Sequence, residues 1–154
     1  MKFSELEEAS WPDLQPYMDT CLLPVTGLEG GEAPYEMADL AAEAGAWLAP
    51  LEHAFKGRTV TLPAYHYYDG SEEEARRLSR ISGKCRSAGF RFVVLVSGRA
   101  GLLTGIEGAD LIVQPNLAGE RPDAGTMRKA FTDMWRGAAQ ARSGANDADM
   151  RGGE

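Results

Sequence analysis

The segment 64–69, Ala-Tyr-His-Tyr-Tyr-Asp, holds the side chains of this chain that are best suited to proton transfer. An imidazole such as that of His66 titrates near neutral pH, and a carboxylate such as that of Asp69 can orient the ring. The alternative is a tyrosine-rich turn whose rings pack over a sheet edge while their hydroxyls contact water. We take His66 and Asp69 as candidate catalytic residues and keep this packing role as the alternative.

Polar side chains also follow the other predicted strands. In an open parallel sheet, ligands bind outside the carboxyl ends of the strands, where loops vary freely and helix N-termini point. An arginine there can hold an anion through its planar fork of donors. This rule nominates five residues as binding residues for a small polar or anionic ligand: Thr26, Tyr65, Arg99, Gln114 and Asn116.

Motifs of known catalytic and cofactor sites are missing from the sequence. The glycine-rich turn 97–101 follows a strand but has neither GxGxxG nor the GK[ST] of a phosphate-binding loop. No GxSxG, HExxH or Cys/His cluster occurs, so the sequence predicts no metal site and leaves the cofactor unknown. Cys21 and Cys85 lie in apolar segments without CxxC spacing, which predicts buried thiols in a reducing compartment.

Composition and charge exclude several classes of protein. The net charge of −7 disfavours nucleic-acid binding, because that binding depends on a basic surface that releases counterions. The acidic N-terminus lacks the pattern of a signal peptide, and no apolar run approaches the roughly 18 to 20 residues of a membrane-spanning helix. We therefore expect a cytoplasmic protein without membrane insertion.

Hydrophobic periodicity predicts alternating strands and helices. The predicted strands are 20–25, 58–62, 90–96 and 110–114, and the predicted helices are 35–55, 71–88 and a stripe over 127–138 with Asp123 or Thr126 as N-cap. Short helices are expected in 1–19 with a capping box of Ser4 and Glu7, a turn over 63–70, and one helical turn near Leu102. Pro50 is expected to kink or restart its helix, and Pro24 to lie where the strand has no partner.

This order of elements predicts a three-layer α/β fold with helices on both faces. The sheet is expected to be short, mostly parallel and of about four strands in the order 2-1-3-4, in a Rossmann-like or flavodoxin-like arrangement. One domain is expected over 1–142, because a chain of 154 residues suits a single core. The Gly-, Asp- and Ala-rich tail 143–154 is expected to be disordered.

A basic face is predicted on the helix over 71–88. Arg77, Arg80 and Lys84 recur at helical spacing in an otherwise acidic protein, and such a face can dock an acidic partner. The alternative is a solvated surface whose charges pair with the carboxylates of Glu72, Glu73 and Glu74.

Two stretches resemble a known family. The first is the run 17–25, Tyr-Met-Asp-Thr-Cys-Leu-Leu-Pro-Val, and the second is Phe-Lys-Gly-Arg at 55–58, followed by Leu62-Pro63 and two tyrosines. Both are similar to the YpiF-like family of uncharacterised proteins from spore-forming Gram-positive bacteria. The resemblance implies a bacterial cytosolic protein, assigns no activity or cofactor, and points to Asp19, Lys56 and Arg58 as residues to test. All three precede strands and are expected at the amino-end rim of the sheet, where the alternative is a role in stability with Asp19 pairing with Arg58.

Two functions follow from these patterns. The first is a non-enzymatic binding or accessory protein with a protein partner, because the catalytic inventory is thin. The alternative is an enzyme for a polar or phosphorylated small molecule, with His66 as base, Asp69 as its orienting group and Arg99 holding an anion. Convergence of these three side chains around a cavity would favour the enzyme, and divergence would favour the binding protein.

Overall fold

A computed structural model describes the backbone of residues 1–151 and the side chains of residues 1–140. The chain divides into two compact units, Met1–Arg121 and Pro122–Glu154. The tail 143–154 is expected to be disordered, but its side chains and the whole of residues 152–154 lie outside the described part. That expectation and the single domain over 1–142 both stay predictions.

The first unit alternates strands and helices, as its apolar periodicity predicts. A single 3-10 turn at Phe3–Glu5 precedes them. Its elements are α1 (Trp11–Leu14), β1 (Thr20–Leu28), α2 (Pro34–Ala54), β2 (Thr59–Thr61), β3 (Tyr65–Tyr67), α3 (Glu72–Ser87), β4 (Phe92–Val96) and β5 (Leu111–Val113).

The sheet is parallel throughout and has the strand order β2-β1-β4-β5, with β3 also paired to β1. Helix α2 covers one face, where Thr61 of β2 donates a hydrogen bond to Glu52 of α2. Helix α3 covers the other, where its Leu78 packs in one core cluster with Cys21 and Val93. The three-layer α/β fold and the strand order are confirmed, whereas the finer Rossmann-like or flavodoxin-like assignment stays a prediction.

The prediction of a turn over 63–70 is wrong, because this segment contains β3 and raises the number of strands to five. β1 is longer than predicted and continues through Leu28. It pairs with β2 as far as Leu22 and with β3 from Val25 onward. Pro24 and Pro63 fall in the gap between the two ladders, where neither is required to donate an amide hydrogen. β2 and β3 therefore form one edge of the sheet, which is interrupted at Pro63. Pro24 lies where predicted, on a side of β1 that has no partner at that point.

Helix α3 begins with half of the predicted capping box. The Ser71 hydroxyl accepts the amide of Glu74 at 3.3 Å, as the motif requires. The amide of Ser71 is bound by Asp69 at 2.8 Å, so Glu74 does not return the bond. Gly89 follows the C-terminus of the helix with φ +115°, a left-handed conformation that favours glycine.

Two local expectations differ from the structure, and of the two alternatives for Pro50 the restart does not occur. The N-terminal turn begins at Lys2, whose amide is bound by Glu5 at 2.7 Å, so Ser4 and Glu7 form no capping box. Helix α2 continues through Pro50 as one element and does not restart there. The segment around Leu102 is irregular rather than helical. Leu103 is buried there, and its amide donates a hydrogen bond to the side chain of Gln114, directly after β5.

The second unit contains α4 (Ala124–Arg151). Asp123 precedes it and accepts the amide of Thr126 at 2.7 Å, which confirms Asp123 and not Thr126 as the N-cap. Hydrogen bonds from the backbone and hydroxyl of Thr126 lower the pKa of the Asp123 carboxyl.

The buried hydroxyl of Tyr68 destabilises the core of the first unit. The residue is 1% exposed, and its hydroxyl has no hydrogen-bond partner among the described residues. We expect Tyr68→Phe to raise the free energy of unfolding by about 1 kcal/mol, because the substitution removes an unsatisfied polar group and keeps the ring. Chemical denaturation measures this, with Tyr17→Phe, 73% exposed, as a neutral control. A loss of stability in Tyr68→Phe would contradict the expectation.

Candidate functional site

The carboxyl-end rim brings together two of the nominated side chains. Thr26 of β1 and His66 of β3 are neighbours across the sheet, with Oγ1 and Nδ1 2.9 Å apart. A hydroxyl beside an imidazole is the arrangement of an activated nucleophile. Thr26 is only 2% exposed, however, while His66 is exposed. The bond therefore anchors the imidazole to the sheet and leaves its other ring edge at the surface.

Asp69 does not orient His66, which corrects the sequence-based expectation. Its carboxylate accepts the backbone amide of Ser71, directly before α3. Hydrogen bonds from the hydroxyl and the amide of Ser71 lower the pKa of the Asp69 carboxyl. Asp69 thus shapes the turn that leads into the helix.

Arg99 is bound to the backbone at the end of β1. Its Nη1 donates to the carbonyl oxygen of Gly27 at 2.6 Å, and its amide donates to Oγ of Ser97 at 3.2 Å. Gly27 has φ +84°, and a Cβ there would lie 2.7 Å from Leu102 and 3.0 Å from Arg99. Only glycine fits this approach. Arg99 is therefore engaged by the backbone of β1 and forms no hydrogen bond with His66.

A carboxylate closes the loop that follows β1. Glu32 accepts the amides of Glu29 and Gly30 at 2.6 and 2.9 Å. These two backbone bonds lower the pKa of the Glu32 carboxyl, and the positive charge of Arg99 adds a smaller lowering. Negative charge at this loop opposes the anionic ligand expected from the sequence.

Gln114 and Asn116 both support loops. Gln114 accepts the amide of Leu103 at 3.0 Å and donates to its carbonyl oxygen at 3.4 Å, which fixes the irregular segment after β4. Asn116 accepts the amide of Glu120 at 2.9 Å and donates to the Glu120 carboxylate at 3.1 Å. Their polar atoms are occupied by these bonds.

Tyr65 marks a second grouping, between β3 and α3. Its hydroxyl donates to Glu74 at 3.5 Å, and the guanidinium carbon of Arg77 lies 5.9 Å from its ring centre. Its ring meets that of Tyr68 edge to face at 6.1 Å. Burial raises the pKa of the Tyr65 hydroxyl.

We call the exposed surface formed by Tyr65, Tyr67 and Arg77, between β3 and α3, the β3–α3 surface. It surrounds an open cavity of about 350 Å³, lined by Ala64, Tyr65, His66, Tyr67 and Arg77. Tyr67 is 60% exposed. The sequence patterns did not predict that the tyrosine segment contacts the basic helix. Their contact depends on β3 being a strand, for which the alternation in Tyr-His-Tyr is the one available signal.

A larger cavity of about 730 Å³ lies between α3 and the loop 104–107; it is lined by Arg80 of the basic face but by no residue nominated for catalysis or ligand binding. In the part of the chain that the structure describes, no group of three or more His, Cys, Asp or Glu side chains could hold a metal ion. The same part has no helix that is both long and apolar enough to cross a membrane.

The amino-end rim holds the residues that the family resemblance singled out. Arg58 donates to both carboxylate oxygens of Asp19, from Nε at 3.0 Å and from Nη2 at 3.2 Å, so the predicted pairing is confirmed. The Asp19 carbonyl oxygen also accepts the amides of Arg91 and Phe92. Lys56 does not join this pair and lines a separate cavity of about 550 Å³.

The two cysteines meet between β1 and α3. Cys21 is buried, but Cys85 is half-buried, so the expectation of two buried thiols is wrong for Cys85. A hydrogen bond from the Cys21 thiol lowers the pKa of Cys85 to about 7. The same bond and burial raise the pKa of Cys21. Each cysteine lies in an apolar stretch of the sequence, and nothing in their spacing predicts that the two would touch.

The bond between Asp19 and Arg58 is expected to stabilise the sheet. Asp19→Asn should lower the free energy of unfolding by about 2 kcal/mol, because the bonds are to a charged group and the Asp19 side chain is only 12% exposed. A double-mutant cycle with Arg58→Met, followed by urea denaturation, isolates the coupling. Lys56→Met is the matched control and should change stability by less than about 0.5 kcal/mol. Additive single effects in the cycle would refute the pairing as a stabilising contact.

The thiol pair predicts a pH-dependent reactivity. Cys85 is protonated and unreactive below its pKa and becomes a thiolate above it, so alkylation by iodoacetamide should rise with a midpoint near pH 7. Cys21→Ala removes the donor and should move the midpoint upward, toward the ordinary value of 9.0. Mass spectrometry of the alkylated protein measures this, and unfolded protein serves as the control. An unchanged midpoint in Cys21→Ala contradicts the assignment.

Comparison with known proteins gives one family. The model of a family described as protein of unknown function (DUF2487) matches residues 10–131, which is more than half of the chain. No curated protein and no solved structure matches the chain. The chain therefore belongs to the DUF2487 family, whose function is unknown.

Proposed function

We propose that this protein is a non-enzymatic binding or accessory protein that docks a protein partner at the β3–α3 surface. One observation carries the proposal: among the described residues, each of the three side chains nominated for chemistry is hydrogen-bonded to a different partner and none is bonded to another of the three. His66 is hydrogen-bonded to Thr26, Asp69 to Ser71, and Arg99 to the backbone of Gly27. A catalytic site needs its groups to converge on one reacting atom.

The composition of the β3–α3 surface supports protein docking. Tyrosine and arginine are the residue types enriched in the energetically important parts of protein interfaces. Here Tyr65, Tyr67 and Arg77 surround one open cavity beside a sheet edge. The contact of Arg77 with the Tyr65 ring and the bond from His66 to Thr26 hold the surface before a partner arrives. A preformed surface loses less conformational entropy on binding.

The second candidate is an enzyme that acts on a polar or phosphorylated small molecule. The hydrogen bond between Thr26 and His66 favours it, because a histidine held this way has a defined ring orientation. In this alternative His66 acts as a base and Arg99 holds an anionic group, while Asp69 has no catalytic role. Binding of a metabolite would raise the melting temperature of the protein, whereas the docking proposal expects no such effect.

We further propose that the protein acts in the bacterial cytosol. Two free thiols fit a reducing compartment, and the charge of −7 disfavours nucleic acid as the partner. The narrower resemblance to the YpiF-like proteins of spore-forming bacteria belongs to this proposal and assigns no activity.

Site-specific photocrosslinking in cells of the source organism tests the docking proposal. The photoreactive amino acid benzoylphenylalanine replaces Tyr67 in one variant and Tyr17 in the matched control, which is exposed to a similar degree. We expect a discrete protein adduct from position 67 that is at least 10-fold weaker from position 17.

A screen of metabolites and nucleotides by thermal shift completes the test. Equal adducts from both positions, or none from position 67, would overturn the docking proposal. A reproducible rise in melting temperature with one compound, abolished by His66→Ala, would establish the enzyme instead.

A further inference from the structure

We propose that the β3–α3 surface recognises a short acidic peptide segment that carries one apolar side chain. This inference rests on the proposed docking function and names the chemistry of the partner. The juxtaposition that carries it is a row of cations on α3, Arg77, Arg80 and Lys84, which ends beside the cavity at Tyr65 and Tyr67.

The cations of this row are exposed and not neutralised. Among the described residues, the ion pairs of α3 are those of Arg76 with Glu72 and of Arg86 with Asp110, and none involves a member of the row. The acidic first turn therefore partners Arg76, as the alternative from the sequence expects, but no member of the row.

The carboxylates of that turn are directed elsewhere. Glu72 pairs with Arg76, and Glu74 accepts the hydroxyl of Tyr65. Glu73 lies one turn before Arg77 but forms no ion pair with it within the described part of the chain. A row of unneutralised cations on a protein with net charge −7 is a local reversal of sign. Such a reversal steers and selects an acidic partner.

The length of the row defines the size of the segment. Arg77 and Lys84 are seven residues apart on a helix that rises 1.5 Å per residue, so the row spans about 10 Å. An extended peptide covers about 3.3 Å per residue, so roughly three to four residues lie along the row. Two or three carboxylates suffice to face the three cations.

The cavity at the end of the row receives an apolar side chain. It is lined by Tyr65, Tyr67 and Arg77 together with Ala64 and His66, and its volume is about 350 Å³. Arg77 belongs to both parts, because it lies over the Tyr65 ring and begins the cationic row. This shared residue places the apolar group of the partner directly beside its carboxylates.

A peptide fits this surface better than a nucleic acid or a membrane does. Both of those present extended negative charge, which the remaining acidic surface of the protein repels. A row of about 10 Å flanked by carboxylates such as Glu72 and Glu73 suits a charge of equally short extent.

Selection from a displayed library of random dodecamer peptides on the full-length protein tests the inference. We expect the selected peptides to share two or three acidic residues next to one apolar or aromatic residue. Fluorescence anisotropy of a selected peptide should show at least 10-fold weaker binding to the triple variant Arg77→Glu, Arg80→Glu, Lys84→Glu. Binding should also weaken as sodium chloride rises from about 50 to 500 mM, because salt screens exposed charges.

The matched control carries the same change of net charge on other residues of the first unit, as Lys2→Glu, Lys56→Glu, Arg91→Glu, three exposed cations outside the row. It should bind the peptide as the unaltered protein does. Failure to select acidic peptides, equal binding by both triple variants, or binding to phosphatidylglycerol vesicles in their place would overturn the inference. The Tyr67 crosslink separates the two proposals: if that adduct persists in the α3 triple variant, docking stands and the acidic segment is wrong. If position 67 gives no adduct in the unaltered protein, docking itself fails.

Discussion

The parallel pairing of β1 on both of its sides is the constraint on which the structure depends. This nine-residue strand is buried along its whole length and pairs with β4 on one side and with β2 and then β3 on the other. Buried backbone groups must be hydrogen-bonded, so the neighbours of β1 are obliged to supply partners. The tyrosine segment becomes a strand for this reason, which places Tyr65 against α3 and His66 against Thr26.

The polar residues around the carboxyl ends of the strands mostly serve that framework. Arg99, Gln114 and Asp69 each satisfy backbone groups of a loop or a helix start. A loop in a parallel sheet leaves amides and carbonyls without partners, and side chains of this type supply them. Side chains that complete the backbone in this way are not free to bind a ligand, and this shifts attention from the rim to the β3–α3 surface.

The β3–α3 surface differs in charge from the rest of the chain. The chain is acidic as a whole, and its carboxylates cap helices, close loops and pair with arginines, as Glu32 and Asp19 do. The row of Arg77, Arg80 and Lys84 stands outside these pairings. Reversed charge beside exposed aromatic rings is a combination that contributes to recognition without any requirement for catalysis.

The sequence by itself determined the fold class, the places of the main strands along the chain and the cap at Ser71, and it suggested the pair of Asp19 with Arg58. The first three follow from apolar periodicity and local hydrogen bonding, and the pair follows from the positions of both residues directly before strands. Only the tertiary structure decided that segment 65–67 is a strand, that Cys21 touches Cys85, and that Asp69 binds Ser71 rather than His66. The strand depends on which distant backbone groups need partners, the contact of the cysteines depends on how α3 packs on β1, and no local pattern encodes either of them.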